Sequence, residues 1–172
     1  MFLFGIHLTL KQYSEDKLAL LIPLRFRLFM IFIALFILFA ILSFTPGGIT
    51  ELFTAANTVP LLLVFFSLLS GLYQESWTWQ RSTGLLQYKF GLLFLYKNQT
   101  IKLRDLERVE VSLIKRSSIP GKPRALIALS LHDRSGNSYR LENSSYSRLK
   151  EINSMGQRIA LFCEIPLVKP AV

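Results

Sequence analysis

Few side chains in this 172-residue sequence could perform acid–base, nucleophilic or metal chemistry, and they form no familiar constellation. His7 and His132 stand far apart, and neither has an acidic residue or a cysteine at the spacing of metal ligands. Cys163 is the single cysteine, so it can build neither an internal disulfide nor a cysteine metal cluster. There is no phosphate-binding glycine loop and no nucleophile elbow. We therefore expect a protein that is not an enzyme and has no cofactor or metal.

Acidic and basic residues alternate in one short segment. Asp105, Glu107 and Glu110 stand among Arg104 and Arg108. Such alternation is typical of a solvated edge held by ion pairs, which we favour over acid–base chemistry.

The densest basic patch lies in a loop rich in Ser, Pro and Gly and comprises Lys115, Arg116, Lys122 and Arg124. Residues 75–172 hold 16 Lys and Arg against 8 Asp and Glu. A basic domain held at a membrane is attracted to anionic headgroups by about 1 kcal/mol for each cation near the surface. We expect contact with membrane lipids and none with nucleic acid. The patch is either a headgroup site or simply a solvated loop.

Three aromatic residues lie at or just after the end of the second of two apolar stretches, namely Tyr73, Trp77 and Trp79. Tyr and Trp concentrate where a membrane meets water, which predicts an interfacial belt. Large aromatic side chains also anchor protein interfaces, so a partner contact is the alternative.

The elements that position these residues begin with two uncharged stretches of 23 residues, 28–50 and 52–74, separated only by Glu51. A bilayer core of about 30 Å needs roughly 20 helical residues. The pattern predicts a two-helix transmembrane hairpin after a cytoplasmic segment 1–27, with spans at about 28–48 and 55–74. Pro60 interrupts the second span. A signal peptide is disfavoured, since no small-residue cleavage site follows the first stretch.

Basic residues flank this hairpin on one side only. Arg25 and Arg27 precede it, no Lys or Arg occurs between Thr45 and Asn57, and basic residues follow it at Arg81, Lys89 and Lys97. Because Lys and Arg hold the ends of spans on the cytoplasmic side, both termini are expected there or on an equivalent side.

The remaining residues, 75–172, read as short strands and a final helix. Runs with period-two alternation predict six or seven strands, with breaks at Gly91 and at Asn98-Gln99. Apolar residues then recur at helical spacing over 145–164: Leu149, Ile152, Met155, Ile159, Phe162 and Cys163. Ser144 or Ser145 is placed to cap this helix, and Ile165-Pro166 to end it.

These elements predict an α+β membrane protein. The transmembrane hairpin would be followed by a small pleckstrin-homology-like antiparallel β domain with a C-terminal amphipathic helix. A generic strand-rich domain covered by a helix is the alternative. At the N-terminus, Ile6, Leu8 and Leu10 alternate with polar residues, which predicts either a strand pairing with an edge of that sheet or an interfacial helix.

Several segments within residues 75–172 carry a family resemblance. They are Thr83-Gly84 with the strand that follows to Gly91, Leu103-Arg104-Asp105-Leu106-Glu107-Arg108-Val109-Glu110-Val111, Arg124-Ala125-Leu126, and Arg158-Ile159-Ala160-Leu161-Phe162-Cys163-Glu164-Ile165-Pro166-Leu167. In these segments and in its layout the chain resembles the photosystem I assembly factor family of cyanobacteria and plastids, and small membrane proteins with bacterial pleckstrin-homology-like domains. It departs from that family at Lys89-Phe90-Gly91-Leu92-Leu93, where the family has a longer aromatic-rich block.

The resemblance implies a non-catalytic, multi-pass membrane protein of the thylakoid or the bacterial inner membrane. Such a protein would bind subunits or intermediates of a larger membrane complex and would need no cofactor. The alternative is an anionic-lipid-binding protein that uses the basic patch.

Overall fold

The computed structural model describes residues 7–45, 54, 57–93, 95–116 and 124–169, without the side chains of residues 115, 116, 124 and 125. It confirms the α+β class. The elements in chain order are β1 (Thr9–Ser14), β2 (Lys17–Leu21), α1 (Leu24–Phe44), α2 (Thr58–Leu72), β3 (Tyr73–Gln80), β4 (Leu85–Leu92), β5 (Leu95–Lys102), β6 (Leu106–Arg116), β7 (Arg124–Asp133), β8 (Ser138–Ser145), α3 (Leu149–Cys163) and β9 (Leu167–Val168).

The chain divides into two units. A strand-rich unit comprises Met1–Leu21, Ser76–Tyr88 and Asn98–Val172. A helical unit comprises Ile22–Glu75 and Lys89–Lys97.

The first sheet has the strand order β1-β2-β3-β4-β5. In the antiparallel pairing of β2 with β3, Leu18 is opposite Trp79 and Leu20 is opposite Trp77. All four side chains are buried, because alternate residues of each strand face the core. The N-terminal segment therefore forms strands, one of the two predicted alternatives. The strand that contains Leu10 is β1, however, and it pairs with β2, whereas β2 is the strand that pairs with β3. Both strands belong to the strand-rich unit.

The second sheet has the order β8-β7-β6-β9. β6 and β7 pair antiparallel from Leu106 opposite Asp133 to Arg116 opposite Arg124. β9 follows α3 and joins β6 in parallel, with Val109 opposite Leu167, a strand that the sequence pattern did not indicate.

Helix α3 covers this second sheet with the apolar face that the sequence predicted. Its buried residues include Ile152, Met155, Ile159 and Phe162. Gly156 lies so close to the sheet that a Cβ there would be 3.2 Å from Cδ1 of Leu129. The absence of a side chain lets the helix approach the strands closely.

The predicted cap of α3 was wrong. Ser144 and Ser145 end strand β8, and a 3₁₀ turn over Tyr146–Arg148 separates them from the helix. Arg148 occupies the N-cap position and makes no capping hydrogen bond through its side chain. The helix ends at Cys163, before Ile165-Pro166 as predicted, and Glu164 takes a left-handed conformation with φ of 57°.

Six strands lie between α2 and α3, in agreement with the predicted number, but two of their breaks were misplaced. β4 runs through Gly91, and β5 runs through Asn98-Gln99. Gly91 has φ of +150° and lies where a Cβ would be 2.2 Å from the backbone oxygen of Leu95. A glycine inside a strand permits this close approach without ending the strand.

The helical unit contains a pair of apolar helices. A hydrogen bond at one end joins Arg27 to Gly71, and another at the opposite end joins Asn57 Nδ2 to Thr45 Oγ1 at 3.3 Å. The two helices are therefore antiparallel. Ala34, Ile41 and Val64 form the centre of their contact.

The predicted pair of full-length spans is shown only in part. α1 has 21 residues and is the one described helix long and apolar enough to cross a membrane. α2 has 15 residues, or about 22 Å at 1.5 Å per residue, against a bilayer core of about 30 Å. Pro60 does not interrupt α2, because it lies in the first turn, where no backbone N–H is needed.

Candidate functional site

The two paired helices have an apolar exterior. α1 contains no charged residue after Arg27, and its apolar side chains are distributed around the whole helix. The exposed large apolar side chains of the pair are Leu24, Leu28, Phe29, Phe32, Leu35, Phe36, Phe39, Leu42, Phe44, Val59, Leu62, Leu63, Phe65 and Phe66. Isolated exposed apolar residues are ordinary, whereas a continuous surface of this kind marks contact with a membrane or another protein.

Small residues lie where the two helices touch. Ala34 of α1 and Ser67, Ser70 and Gly71 of α2 are buried. A Cβ at Gly71 would be 2.7 Å from Cγ1 of Ile31 and 3.1 Å from the backbone oxygen of Arg27. Such contacts through small residues are typical of helices packed in lipid, where backbone proximity replaces the hydrophobic driving force.

One of the two buried serines of this contact, Ser70, is satisfied within its own helix. Ser70 Oγ donates to the backbone oxygen of Phe66 at 2.8 Å. This back-bond lets a polar side chain sit in an apolar contact without an unpaired hydroxyl.

Arg27 joins the beginning of α1 to the end of α2. Its Nε donates to the backbone oxygen of Gly71 at 3.1 Å. With the Gln74 amide oxygen turned toward the guanidinium, that oxygen accepts from Nη1 and Nη2 at 3.3 and 3.1 Å. A cation at the C-terminal end of a helix also interacts favourably with the partial negative charge of the last carbonyl groups.

A polar cluster in the strand-rich unit is centred on Glu142, whose side chain is 1% exposed. Its Oε1 accepts a hydrogen bond from Arg148 Nη1 at 2.8 Å and lies 3.4 Å from His7 Nδ1. Arg148 also donates to Ser144 Oγ at 3.1 Å and to both carboxylate oxygens of Glu151, at 2.5 and 2.7 Å. The Arg148 guanidinium and the His7 ring are in contact.

Electrostatics in this cluster are set by burial and by one arginine. Desolvation raises the pKa of the Glu142 carboxyl above its usual range, against the opposing attraction of Arg148 and His7. The hydrogen bonds from Arg148 lower the pKa of the more exposed Glu151. The cluster ties residue 7, the end of β8 and the beginning of α3 together.

Sequence reasoning missed this cluster, and little in the pattern could have revealed it. Glu142 and Arg148 belong to different elements, and His7 comes from the opposite end of the chain. Only the pairing of the N-terminal strands with β3 brings residue 7 into the same unit.

No family model and no curated protein matches this chain.

His132 and the alternating charged residues around Arg108 form ion pairs with one another. His132 Nε2 lies 3.1 Å from Glu110 Oε2, and Arg108 pairs with Glu107 at 3.0 Å and with Glu110 at 3.8 Å. Arg104 and Asp105 are 3.8 Å apart. The ion pairs predicted from the alternating charges are thus confirmed, but β6 lies between β7 and β9 and is not an edge strand. In the described part of the chain, His, Cys, Asp and Glu form no group of three or more able to hold a metal.

Cys163 is partly buried on the sheet-facing side of α3. Burial raises the pKa of its thiol to about 12. Because the thiolate is the nucleophilic form, this thiol is held in its unreactive state at neutral pH.

The structure places the two tryptophans of the predicted interfacial group in the core. Trp77 is 3% exposed and Trp79 is 0% exposed. The Trp77 ring stacks on Tyr88, with 3.9 Å between the ring centroids. Their positions at period two on β3 direct both indoles to the same buried face, so they present no surface to a partner or a headgroup. Tyr73 is half-buried, and its hydroxyl donates to Glu75 Oε2 at 3.3 Å.

The basic patch lies largely outside the described residues. The backbone places Arg116 opposite Arg124 at the end of the β6–β7 pairing, with Lys115 opposite Ala125. Lys122 is not among the described residues, and neither are the side chains of the other three. The headgroup site therefore stays a prediction.

Proposed function

We propose that this chain is a membrane-anchored, non-catalytic scaffold or assembly factor for a larger membrane protein complex. In this proposal α1 and α2 lie in a bilayer and the strand-rich unit, of pleckstrin-homology-like type, binds subunits of the client complex. The observation that carries the membrane part is the apolar exterior of the helix pair.

The free energy of burying that exterior is the main argument that lipid covers it. Burying one large apolar side chain is worth about 1.5–3 kcal/mol. Folded domains are stable by only about 5–15 kcal/mol in total. The exposed Phe and Leu side chains of α1 and α2 together represent more than that margin. Acyl chains would cover this surface on all sides of the pair at once.

Both helices cross the bilayer in this proposal. α1 spans about 31 Å at 1.5 Å per residue. The shorter α2 is accommodated by local thinning of the bilayer, which costs only fractions of a kcal/mol per Å of mismatch. Because the pair is antiparallel, Arg25 and Arg27 lie at the same end as the exit from α2. The positive-inside bias then assigns that end, and both termini, to the cytoplasmic or stromal side.

Client binding is supported by the resemblance to the photosystem I assembly factor family. That resemblance makes photosystem I subunits the first clients to test, in a thylakoid or bacterial inner membrane. The six strands β3 to β8, divided between two sheets and followed by α3, support a domain of pleckstrin-homology-like type.

A second candidate function, binding of anionic lipid, is favoured by the strand register. Arg116 is opposite Arg124 and Lys115 precedes Arg116, so the backbone places three basic residues at one end of the β6–β7 pair. Concentrated cations facing a membrane attract anionic headgroups.

Affinity capture of the tagged, full-length protein from gently solubilised membranes separates these functions. Near-stoichiometric recovery of the subunits of one membrane complex would support the scaffold. A matched variant, with Lys115, Arg116, Lys122 and Arg124 all replaced by Ala, should still recover them. If the protein emerged alone with anionic lipid, and the variant lost that lipid, the scaffold proposal would be abandoned for the lipid-binding one.

Topology needs its own test. In a Cys163→Ala background, Gly47→Cys should react with a membrane-impermeant thiol reagent added from outside, whereas Lys17→Cys should react only after the membrane is opened. Equal labelling of both from one side would contradict two crossings.

A further inference from the structure

The adjoining ends of β4 and β5 belong to the helical unit and not to the strand-rich one. This hairpin tip, Lys89–Lys97, forms one compact unit with α1 and α2. Its sequence is Lys-Phe-Gly-Leu-Leu-Phe-Leu-Tyr-Lys, an apolar and aromatic run with a lysine at each end.

One backbone contact fixes the hairpin tip at the end of α2. The N–H of Leu93 donates to the backbone oxygen of Leu72, the last residue of that helix, at 3.2 Å. This is the end of the pair that also contains Arg27, whose Nε bonds to Gly71. If the helices span a bilayer, the tip therefore lies at the level where α2 leaves it.

Apolar side chains of the hairpin tip are exposed at this position. Leu95 is 83% exposed, Tyr96 is 55% exposed, and Leu92 is also exposed. Lys89 Nζ lies 5.8 Å from the centre of the Tyr96 ring, so a cation accompanies the aromatic side chain. In water, leucine and tyrosine side chains exposed to this extent would leave a large apolar area uncovered.

We propose that the hairpin tip inserts the exposed side chains of Leu92, Leu95 and Tyr96 into the headgroup–acyl boundary of the bilayer, beside the helix pair. The proposal rests on the membrane insertion of α1 and α2 and adds a third membrane contact to it. Apolar residues accompanied by Tyr and flanked by Lys suit this boundary, since the carbon surface enters the acyl region while the ammonium groups remain with anionic phosphates. The tip belongs to the same unit as α1 and α2, whose apolar exterior would lie in the acyl region.

Fluorescence quenching in reconstituted full-length protein tests the insertion. Single-cysteine variants Leu95→Cys, Phe36→Cys and Leu161→Cys are made in a Cys163→Ala background and labelled with an environment-sensitive dye. Each is placed in vesicles of phosphatidylcholine and phosphatidylglycerol that carry a doxyl quencher either near the headgroup or deep in the acyl chain.

Leu161 is the matched control, because it is an apolar residue, 68% exposed, that lies on α3 in the strand-rich unit. Phe36 reports the insertion of α1 itself. We expect the Leu95 label to lose most of its emission to the shallow quencher, the Phe36 label to lose it to the deep quencher, and the Leu161 label to keep it.

The outcomes separate the two proposals. Quenching at Phe36 without quenching at Leu95 overturns the inserted hairpin tip and leaves the anchor standing. Quenching at neither position overturns both. Tyr96→Cys provides a second reporter on the tip, and the same pattern is required of it.

Discussion

Arg81 holds the C-terminal end of α3 through Phe162. Its Nε donates to the backbone oxygen of Phe162 at 2.9 Å, and its guanidinium carbon lies 4.6 Å from the centre of the Phe162 ring. A second bond runs from Nη2 to the backbone oxygen of Leu161 at 3.3 Å. One side chain at the end of β3 thus satisfies carbonyl groups of the last helical turn and covers its aromatic residue.

Replacing this arginine should therefore loosen α3. Arg81→Met keeps much of the side-chain volume but removes the donors, and we expect a loss of about 1–2 kcal/mol in the free energy of unfolding. Arg81→Lys should recover only part of it, because an ammonium cannot reproduce the planar fork. Denaturant unfolding of the full chain in detergent, followed by tryptophan fluorescence, measures the difference.

Arg104→Met is the control for this substitution. Arg104 is exposed and pairs only with Asp105 among the described residues, at 3.8 Å. An exposed ion pair contributes about 0–1 kcal/mol, so this variant should unfold almost as the wild type does. Equal losses from Arg81→Met and Arg104→Met would contradict the capping role.

Gly71 should tolerate no side chain while the helices remain paired. A Cβ there meets Cγ1 of Ile31 at 2.7 Å and the backbone of Arg27 at 3.1 Å, so Gly71→Leu must push the helices apart. Overpacking of this kind costs about 1–3 kcal/mol. Denaturation in mixed micelles, monitored by circular dichroism, should show the loss. Leu63→Phe, which enlarges an exposed side chain on the same helix, should have little effect, and similar losses in both variants would refute the close contact.

Glu142 should make the protein less stable as pH rises. Burial raises the pKa of this carboxyl, so the folded chain holds the proton more tightly than the unfolded chain does. Its stabilising contribution is complete below the ordinary value of 4.5 and is lost as pH rises through the higher folded value. As pH rises above 4.5, the thermal midpoint of Glu142→Gln should therefore decline less than that of the wild type. Parallel profiles for the two proteins would reject the raised pKa.

Glu151, in the same cluster, should make the protein less stable as pH falls. Hydrogen bonds from Arg148 lower the pKa of its carboxyl, so its contribution is present above the unfolded pKa and is lost as pH falls through the folded one. Glu151→Gln should therefore reduce the decline of the thermal midpoint on acidification. A change confined to higher pH in this variant would be inconsistent with the observed bonding.

Gly91 should be required for the hairpin tip. Its φ of +150° is rarely adopted by residues with a side chain, and an added Cβ would be 2.2 Å from the Leu95 oxygen. Gly91→Ala should cost about 1–3 kcal/mol of backbone strain. It should also weaken the shallow quenching of a label at Leu95. Gly84→Ala is the comparison, since Gly84 also has positive φ but has no atom near its absent Cβ, so unchanged quenching there isolates the steric effect.

Local pattern was enough to predict the elements that depend on neighbouring residues. The face of α3 and the alternation of the strands each follow a single periodicity that the fold keeps, whereas α1 was predicted from an uninterrupted apolar run. The same reasoning misplaced the cap of α3 at Ser144 or Ser145, because serine signals a helix start only if the backbone has already left the strand. It also treated Gly91 as a break, although the strand continues through it.

The sequence by itself determined the α+β class, an apolar helix long enough to cross a membrane, and the ion pairs of Arg108 with Glu107 and Glu110, because each depends on neighbours along the chain. Only the tertiary structure decided that Trp77 and Trp79 are buried, that Glu142 meets His7 and Arg148, and that the Lys89–Lys97 tip belongs with the helices. The physical reason is that burial and electrostatic contact depend on which distant strands pair, and strand register is set by the packing of the whole sheet.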